Sequence, residues 1–437
     1  MRVAFFEDAV AGQLAPLTLL RPVFELACGQ FSVRERVLRT LSVTDWAGFL
    51  RSHLAETYQE QFPEAAVNRY DWLEQGPTLL IHGRWCGDID TLRSLRPDQV
   101  GYVGDQVVCL TLDPSEALLI SGLDWQDSLA RIARLRTDHR PVAGRLIEYP
   151  WDLITHNPQQ LGWDFELRRG QGSAGLDRPD VALRGDRSQV WIDPTADLDP
   201  FVVLDARPGP ITIDPGCVIQ AFTRLEGPCH IGRDSRLFRA QVRGGTSIGP
   251  NCRVGGEVEA SILHSDVNKY HDGFLGHSYV CPWVNLGAQS ANSDLKTDYS
   301  SVQFPGRSMT PSRDRIDTGL MKVGCFIGDH TKTGLGSLFN TGSSIGVMSM
   351  ILPSGELLPR HIPSFTTIWH GELSMQIGLE RCFVAARAAM ERRNREFTAA
   401  QQRLLTWLFH ETTPEREQAL TRTTMHRHET ASRVPRS

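Results

Sequence analysis

Nine cysteines are spread through the 437 residues without one C-x-x-C pair, which leaves no zinc ribbon and no disulfide framework and fits thiols kept in a reducing compartment. No window approaches the roughly 18 apolar residues of a membrane span. The opening MRVAFFEDAVAG lacks a cationic stretch followed by a long apolar one, so the expected location is cytoplasmic and no membrane partner is expected. Positive charge is in short supply, with 46 Lys and Arg against 51 Asp and Glu and a net charge of −5. That balance supplies no field for a polyanion and argues against nucleic acid as a partner, while a small anionic ligand stays open. What is present is the mixture of a folded, turn-rich protein, with 41% hydrophobic residues, 38 Gly and 25 Pro, over a length that allows two or three domains.

The first third alternates short apolar strands with amphipathic stretches. RVAFF at the start, TLLIHG around Leu79 to Gly83, VGYVGD at 100–105 and QVVCLTL at 106–112 predict strands punctuated by Gly and Asp. The segments Val33 to Leu54 and Trp125 to Leu135 have helical spacing of apolar groups, so the alternation predicts an α/β domain over residues 1–167. RRGQGSAGLDRPD at 168–180 has the composition of a linker.

Beyond the linker the period becomes six. Ile213, Ile219, Leu225, Ile231 and Leu237 share that step; Val242, Ile248 and Val254 resume it after a one-residue slip, and Met321, Ile327, Thr333, Phe339, Ile345, Ile351 and Leu357 repeat it later. A helix repeats at 3.6 and a simple strand at 2. A six-residue aliphatic repeat predicts a parallel β-helix over residues 181–370, each hexapeptide forming one flat side of a three-sided prism. Gly, Asn or Asp at the corners would supply left-handed backbone. The repeat lapses over 289–319, an inserted polar loop of the length that is usually functional. A helical pattern follows within 371–412, and the tail 413–437 has the composition of a disordered segment.

The string VGGEVEASILHSDVNKYHDGFLGHSYVCPWVNLGAQSANSDLKTDYSSV resembles the left-handed β-helix, hexapeptide-repeat acyltransferases. The whole chain is similar to the alternative bacterial bifunctional UDP-N-acetylglucosamine diphosphorylase/glucosamine-1-phosphate N-acetyltransferase family. The family's catalytic His stands fourteen residues before the Asn of an N-[IL]-G-A run, and here His271 stands fourteen before Asn285 of NLGA. The resemblance implies acetyl transfer from acetyl-CoA to an amino sugar phosphate, and that chemistry suits an imidazole: the attacking amine must lose a proton as the amide forms, and a free imidazole accepts one near neutral pH. It further implies Phe274 beside the sugar, Asn285 as a substrate ligand, the Ala288 backbone amide at the acyl donor, and Arg243 at the phosphate. Where the family has a second phosphate-contacting cation this chain has Ser261, with Lys269 as the candidate replacement. The Asn-Tyr pair expected after NLGA is displaced, which leaves Asn292 and Tyr299 as candidates. A homotrimer packed on the flat prism faces is expected, with the site between subunits.

QLAPLTLLRPVFELACG resembles the R-L-x-P-L-T…K-P core of sugar nucleotidyltransferases, with Pro16, Leu17 and Thr18 matching and Arg21 in place of the Lys. With Asp8 of an acidic pair and the Arg34-Glu35 pair these are the candidate nucleotide and phosphate ligands, and Mg²⁺ would be required if this domain transfers a nucleotidyl group. No glycine-rich phosphate loop is recognisable. Two other readings stay open: a sugar-nucleotide-binding or scaffold protein whose sites have decayed, and a zinc hydratase of the carbonic anhydrase type built on His264, His271 and His277.

Overall fold

The computed structural model describes residues 1–120, 125–168, 179–306 and 315–421. Its first domain is built on a seven-stranded sheet in which Arg2–Phe6 lies between Asp45–Phe49 and the central Thr78–His82, parallel to both. The expected strands are found at Arg2–Phe6, Thr78–His82, Gln99–Val103 and Gln106–Leu112, and Trp125–Arg134 is a helix. The stretch from Val33 to Leu54 is not one helix. Ser32 caps a helix Val33–Leu41 by accepting from the Glu35 N–H, and the chain turns at Ser42 (φ 51°) into the strand Asp45–Phe49. That strand is buried over Trp46 to Phe49, so its apolar residues run on without alternation and blur into the helical pattern before them. A helix Pro150–Glu166 closes the domain and buries His156, Asn157, Gln160 and Asp164. Of the expected linker, Arg168 pairs with Asp214 at 2.7 Å, and 169–178 lie outside the described residues.

The period of six becomes three parallel sides. The first carries nine strands from Val190–Ile192 to His361–Ile362. Ile213 pairs with Ile231, Ile231 with Ile248 and Ile327 with Ile345, so one coil takes 17 or 18 residues, or about three hexapeptides. The second side starts at Asp197–Leu198 and the third at Ala182–Arg184. Ile213, Ile219, Leu225, Ile231, Leu237, Ile248 and Val254 are fully buried along the axis. Two expected axial residues are not: Met321 is 59% and Leu357 is 57% exposed, and Leu358 takes the inward place in the last coils.

The corners also depart from expectation. Asp234, Asn251 and Asp266 have left-handed backbone, but so do Phe201, Phe222, His277, Trp283 and His330, each at a cost of about 1–2 kcal/mol. Several glycines serve close approach instead of positive φ. A Cβ on Gly249 would lie 1.9 Å from the His264 carbonyl oxygen, and one on Gly255 2.1 Å from that of Tyr270.

The first side is covered by the first domain. Gln30 Nε2 donates to Thr212 Oγ1 at 3.0 Å, Asn157 Nδ2 to the Gly245 oxygen at 2.8 Å, and the Ala27 N–H to the Tyr279 hydroxyl at 2.9 Å. The expected polar loop starts later than predicted, because Ala291–Asn292 still pairs with Leu338–Phe339. It then leaves the prism as a hairpin of Gln303–Pro305 with Arg315–Asp317. Phe304 sits between Trp151 and Phe326, 5.0 and 5.4 Å from their ring centroids. The excursion is thus a wedge between the domains.

In place of one C-terminal helix there is a strand Glu372–Gln376 antiparallel to Thr366–Trp369, then helices Leu379–Glu391 and Ala399–Glu411. Asn394 at φ 55° and the Thr398–Gln401 capping box force the break. Residues 413–421 are largely helical with Arg416 fully buried, so this part of the expected disordered tail is ordered; 422–437 lie outside the described residues. Among the described residues no helix is long and apolar enough to cross a membrane.

Candidate active site

His271 stands at the corner between the second and third sides, after the strand Asn268–Lys269 and before Phe274–Gly276. Its side chain is exposed. The Tyr270 ring meets it edge to face at 4.8 Å, and no side chain or carbonyl among the described residues hydrogen-bonds the imidazole. The next coil passes the same corner at Ala288, because the Gln289 N–H donates to the Asp272 oxygen at 2.9 Å. Stacked strands are about 4.8 Å apart, so a free imidazole and the Ala288 backbone share one edge. The Ala288 carbonyl accepts from the Gly336 N–H at 2.8 Å, and its own N–H has no acceptor among the described residues. Phe274 is half-buried on the third side, in register with Glu257. Arg243 lies on that side too, held by Glu257 at 2.6 Å.

Two expected ligands, Lys269 and Asn292, are otherwise engaged, and a third, Tyr299, lies elsewhere. Lys269 is buried, and its ammonium donates to the Gly255 oxygen at 2.7 Å and the His271 oxygen at 3.0 Å; burial pushes it down to about 8. It fixes the turn that carries His271 and does not reach out to a phosphate. Asn292 spends both ends of its amide on Gly276, accepting from its N–H at 2.8 Å and donating to its oxygen at 2.9 Å. Tyr299 is 67% exposed on the excursion, away from the prism corner. Asn285 faces out from the second side, where its Oδ1 accepts from Asn268 Nδ2 at 2.5 Å.

In the first domain the sheet's topological switch lies beside Arg2–Phe6, and ligands of open α/β sheets sit at the carboxyl ends of such strands. Here those ends are filled. Glu7 accepts from the Val23 N–H at 2.7 Å and from the Arg51 guanidinium at 3.1 Å. Asp8 takes both prongs of Arg84 at 2.9 and 2.6 Å. Burial raises the Asp8 carboxyl, but His82 and Arg84 outweigh it and hold it well below the usual carboxylate range. The segment Ala9–Leu14 is a 3-10 helix where a glycine-rich loop would be needed.

The other candidates are likewise committed. Pro16 and Leu17 are buried, and Thr18 donates to the Ala11 oxygen at 2.9 Å. Arg21 pairs with Asp329 of the prism, Arg34 pairs with Glu25 at 2.5 Å, and Glu35 pairs with Arg39 at 2.8 Å. Each expected phosphate ligand is therefore spoken for, and the carboxylates of Glu7 and Asp8 do not fit Mg²⁺ while two arginines occupy them.

A sugar nucleotidyl transferase family model matches residues 3–171. The bifunctional protein GlmU of Jannaschia sp. is 30% identical over 157 residues, 34% of this chain and 30% of that protein. Its counterpart in Acaryochloris marina is 23% identical over 272 residues, 61% of this chain and 50% of that one. Residues 3–171 thus match a sugar nucleotidyl transferase family, and stretches of the chain are similar to bifunctional GlmU proteins. A bifunctional sugar-1-phosphate nucleotidylyltransferase/acetyltransferase of Sulfurisphaera tokodaii is 30% identical over 97 residues, covering 22% and 23% of the two chains. The chain thus spans half or less of the length of each of these three relatives. A putative acetyltransferase structure from Bacillus cereus aligns with a TM-score of 0.19 at 10% identity over 53% of this chain and 96% of that one, too low a score to bear on the fold.

The three histidines of the chain do not converge. His264 is half-buried against the first domain with Nε2 3.2 Å from the Glu25 oxygen, and His277 contacts Asp294 at 2.8 Å. Among the described residues no group of three or more His, Cys, Asp or Glu is placed to hold a metal ion, so the arrangement does not suit a zinc hydratase. Motif reading missed Arg51 and Arg84, the residues that close the crevice. Their signal was their place directly after the strands ending at Phe49 and His82.

Proposed function

We propose that the prism transfers an acetyl group from acetyl-CoA to the amine of an amino sugar phosphate, with His271 as general base. The supporting observation is the exposed imidazole of His271, unpartnered among the described residues, one coil from the Ala288 N–H, which has no acceptor among them. The amine nitrogen attacks the thioester carbonyl, a C–N bond forms, and His271 takes the ammonium proton. The C–S bond then breaks, the proton passes to the departing thiolate, and the products are the amide and free CoA. Backbone N–H groups such as that of Ala288 suit the acyl donor's amides or developing oxyanion. Phe274 would stack on the sugar, Asn285 would orient it, and Arg243 would meet the phosphate once turned from Glu257. Lys269 positions the His271 turn. The cytoplasm, where acetyl-CoA is made available, is the proposed setting.

The first domain would be a structural partner and not a second catalyst, a reading supported by Arg51 and Arg84 pairing with Glu7 and Asp8 at the strand ends. The site is completed by a homotrimer. The edge that carries His271 also carries Phe201 and Phe222, 64% and 65% exposed and stacked at 5.7 Å, with Leu335 at 74% further along; such an apolar ridge suits threefold packing. The test is incubation of the chain with glucosamine 1-phosphate and acetyl-CoA, with thiol release as readout, and separately with UTP, a sugar 1-phosphate and Mg²⁺. Thiol release without pyrophosphate release is expected. Thiol release unaltered by His271→Ala would remove the base assignment, and pyrophosphate release would remove the structural role of the first domain.

A further inference from the structure

Under the helix Leu379–Glu391, on the second side of the prism, lies a cavity of about 760 Å³, the size of a small-molecule site. Arg236, Arg253, Lys332, Arg392 and Arg393 line it. Among the described residues no carboxylate lies within salt-bridge distance of any of these five, whereas the arginines of the first-domain crevice all meet one. The one acid in the lining, Asp266, accepts instead from Asn251 at 2.5 Å. Burial depresses the Arg253 guanidinium, and Arg393 and Arg236 depress it further; burial alone brings Lys332 down to about 8. Lys332 donates to the Trp283 oxygen and Arg393 to Asn251 Oδ1 at 2.9 Å, and Asp266 is the one carboxylate that acts on Arg253; five cations beside one carboxylate, in a chain of net charge −5, are held at a cost that a bound anion would relieve.

The remaining lining is not that of a bare phosphate site. Ala385, Ala388 and Ala389 put small side chains on the helix face above the cavity, which keeps it open. Phe238, Tyr270 and Trp283 supply flat apolar surface, Phe238 and Tyr270 lying 4.1 Å apart by ring centroid with Tyr270 41% exposed. Asn268 Oδ1, also in the lining, is buried without a hydrogen-bond donor, and so awaits an N–H or O–H. Cations for phosphate, aromatic faces for a planar ring and a lone acceptor together match a nucleotide.

We propose that this cavity binds a nucleoside diphosphate group, its phosphates among the five cations and its base against Tyr270 and Trp283. That chemistry has two sources, a free or sugar-linked nucleoside diphosphate and the ADP end of CoA. The cavity adjoins the acetyl-transfer corner, since Asn285 lines it too, but its five cations take no part in the proton transfer at His271, so nucleotide binding can be tested apart from that reading.

Isothermal titration of the full chain, with tryptophan fluorescence in parallel, against UDP, ADP, CoA, pyrophosphate and uridine tests it. The nucleoside diphosphates are expected to bind, uridine at least about 10-fold more weakly, with affinity falling as salt rises. Arg236 and Arg392 are exposed and have no side-chain partners among the described residues, so the double variant Arg236→Ala, Arg392→Ala should fold and should weaken binding at least about 10-fold. UDP tighter than CoA assigns a free nucleotide, and CoA tighter than both diphosphates assigns the cofactor's ADP end. No binding at millimolar concentration, binding unchanged in the double variant, or pyrophosphate binding as tightly as the nucleotides would each overturn the proposal. His271→Ala separates the two readings, since it should abolish thiol release and leave nucleotide binding intact.

Discussion

Arg21 of the first domain forms a two-pronged ion pair with Asp329 of the prism, both nearly buried. The same guanidinium donates to the Leu17 oxygen at 2.9 Å, so the run that matches a nucleotidyltransferase core serves as an interdomain tie. Arg21→Met leaves Asp329 buried and unpaired and should cost about 3–5 kcal/mol in denaturant unfolding. The double change Arg21→Met, Asp329→Leu should recover much of that loss, and a double variant as unstable as the single one would show that the pair matters by something other than charge.

His271→Ala should lower thiol release by about 100- to 10,000-fold, the usual contribution of a general base. Its ring is exposed, so the melting temperature should stay within the small range of surface substitutions. A large drop in melting temperature with modest loss of rate would mark His271 as a structural corner residue.

Asp8→Asn should destabilise at pH 7 by about 3–5 kcal/mol, because Arg84 stays buried and charged. The Asp8 carboxyl is depressed in the folded chain, so its stabilisation is complete above the unfolded value of about 4 and is lost as pH falls toward the folded one. Urea unfolding at pH 7, 4 and 3 should show the gap between the two proteins narrowing below pH 4; a constant gap would place the effect in packing.

Asn292→Leu would leave the N–H of Gly276 without a partner inside the third side, while its oxygen keeps the Ser278 hydroxyl at 2.7 Å, at a cost of about 1–3 kcal/mol. At a temperature where both proteins are folded, KM for the amino sugar phosphate should be unchanged. A raised KM with unchanged stability would return Asn292 to the list of substrate ligands.

Phe222→Asp places a charge on the prism edge and should shift the chain from trimer to monomer in light scattering, with thiol release lost in proportion. A chain that is already monomeric, or a variant that stays trimeric, would move the subunit contact elsewhere.

Prism and first-domain strands were readable because Ile213, Ile231 and Ile248 repeat a single physical demand, an aliphatic group on the axis once per coil side. The acetyl-transfer corner was readable in part: the spacing of His271 and Asn285 is local, and so survives in one dimension. The employment of Lys269, Asn292 and Asp8 was not, because each is decided by a partner on another coil or strand. The cavity cations were invisible for the same reason, since Arg236 and Arg392 meet only when the last helices fold back over the prism. The segment Val33 to Leu54 failed because a strand buried on both faces loses the alternation that would identify it.

Repeat stacks whose coils touch only their neighbours tend to unzip from their ends. In this chain the excursion that places Phe304 between Trp151 and Phe326, together with contacts from Thr212 to Asp329, fastens the first domain along successive coils like a splint. Helix Ala399–Glu411 adds a second fastening, as Trp407 stacks on His53 of the first domain at 3.8 Å. Melting at one end of the prism must then break these lateral joints as well, which converts a ladder of local equilibria into one cooperative unit.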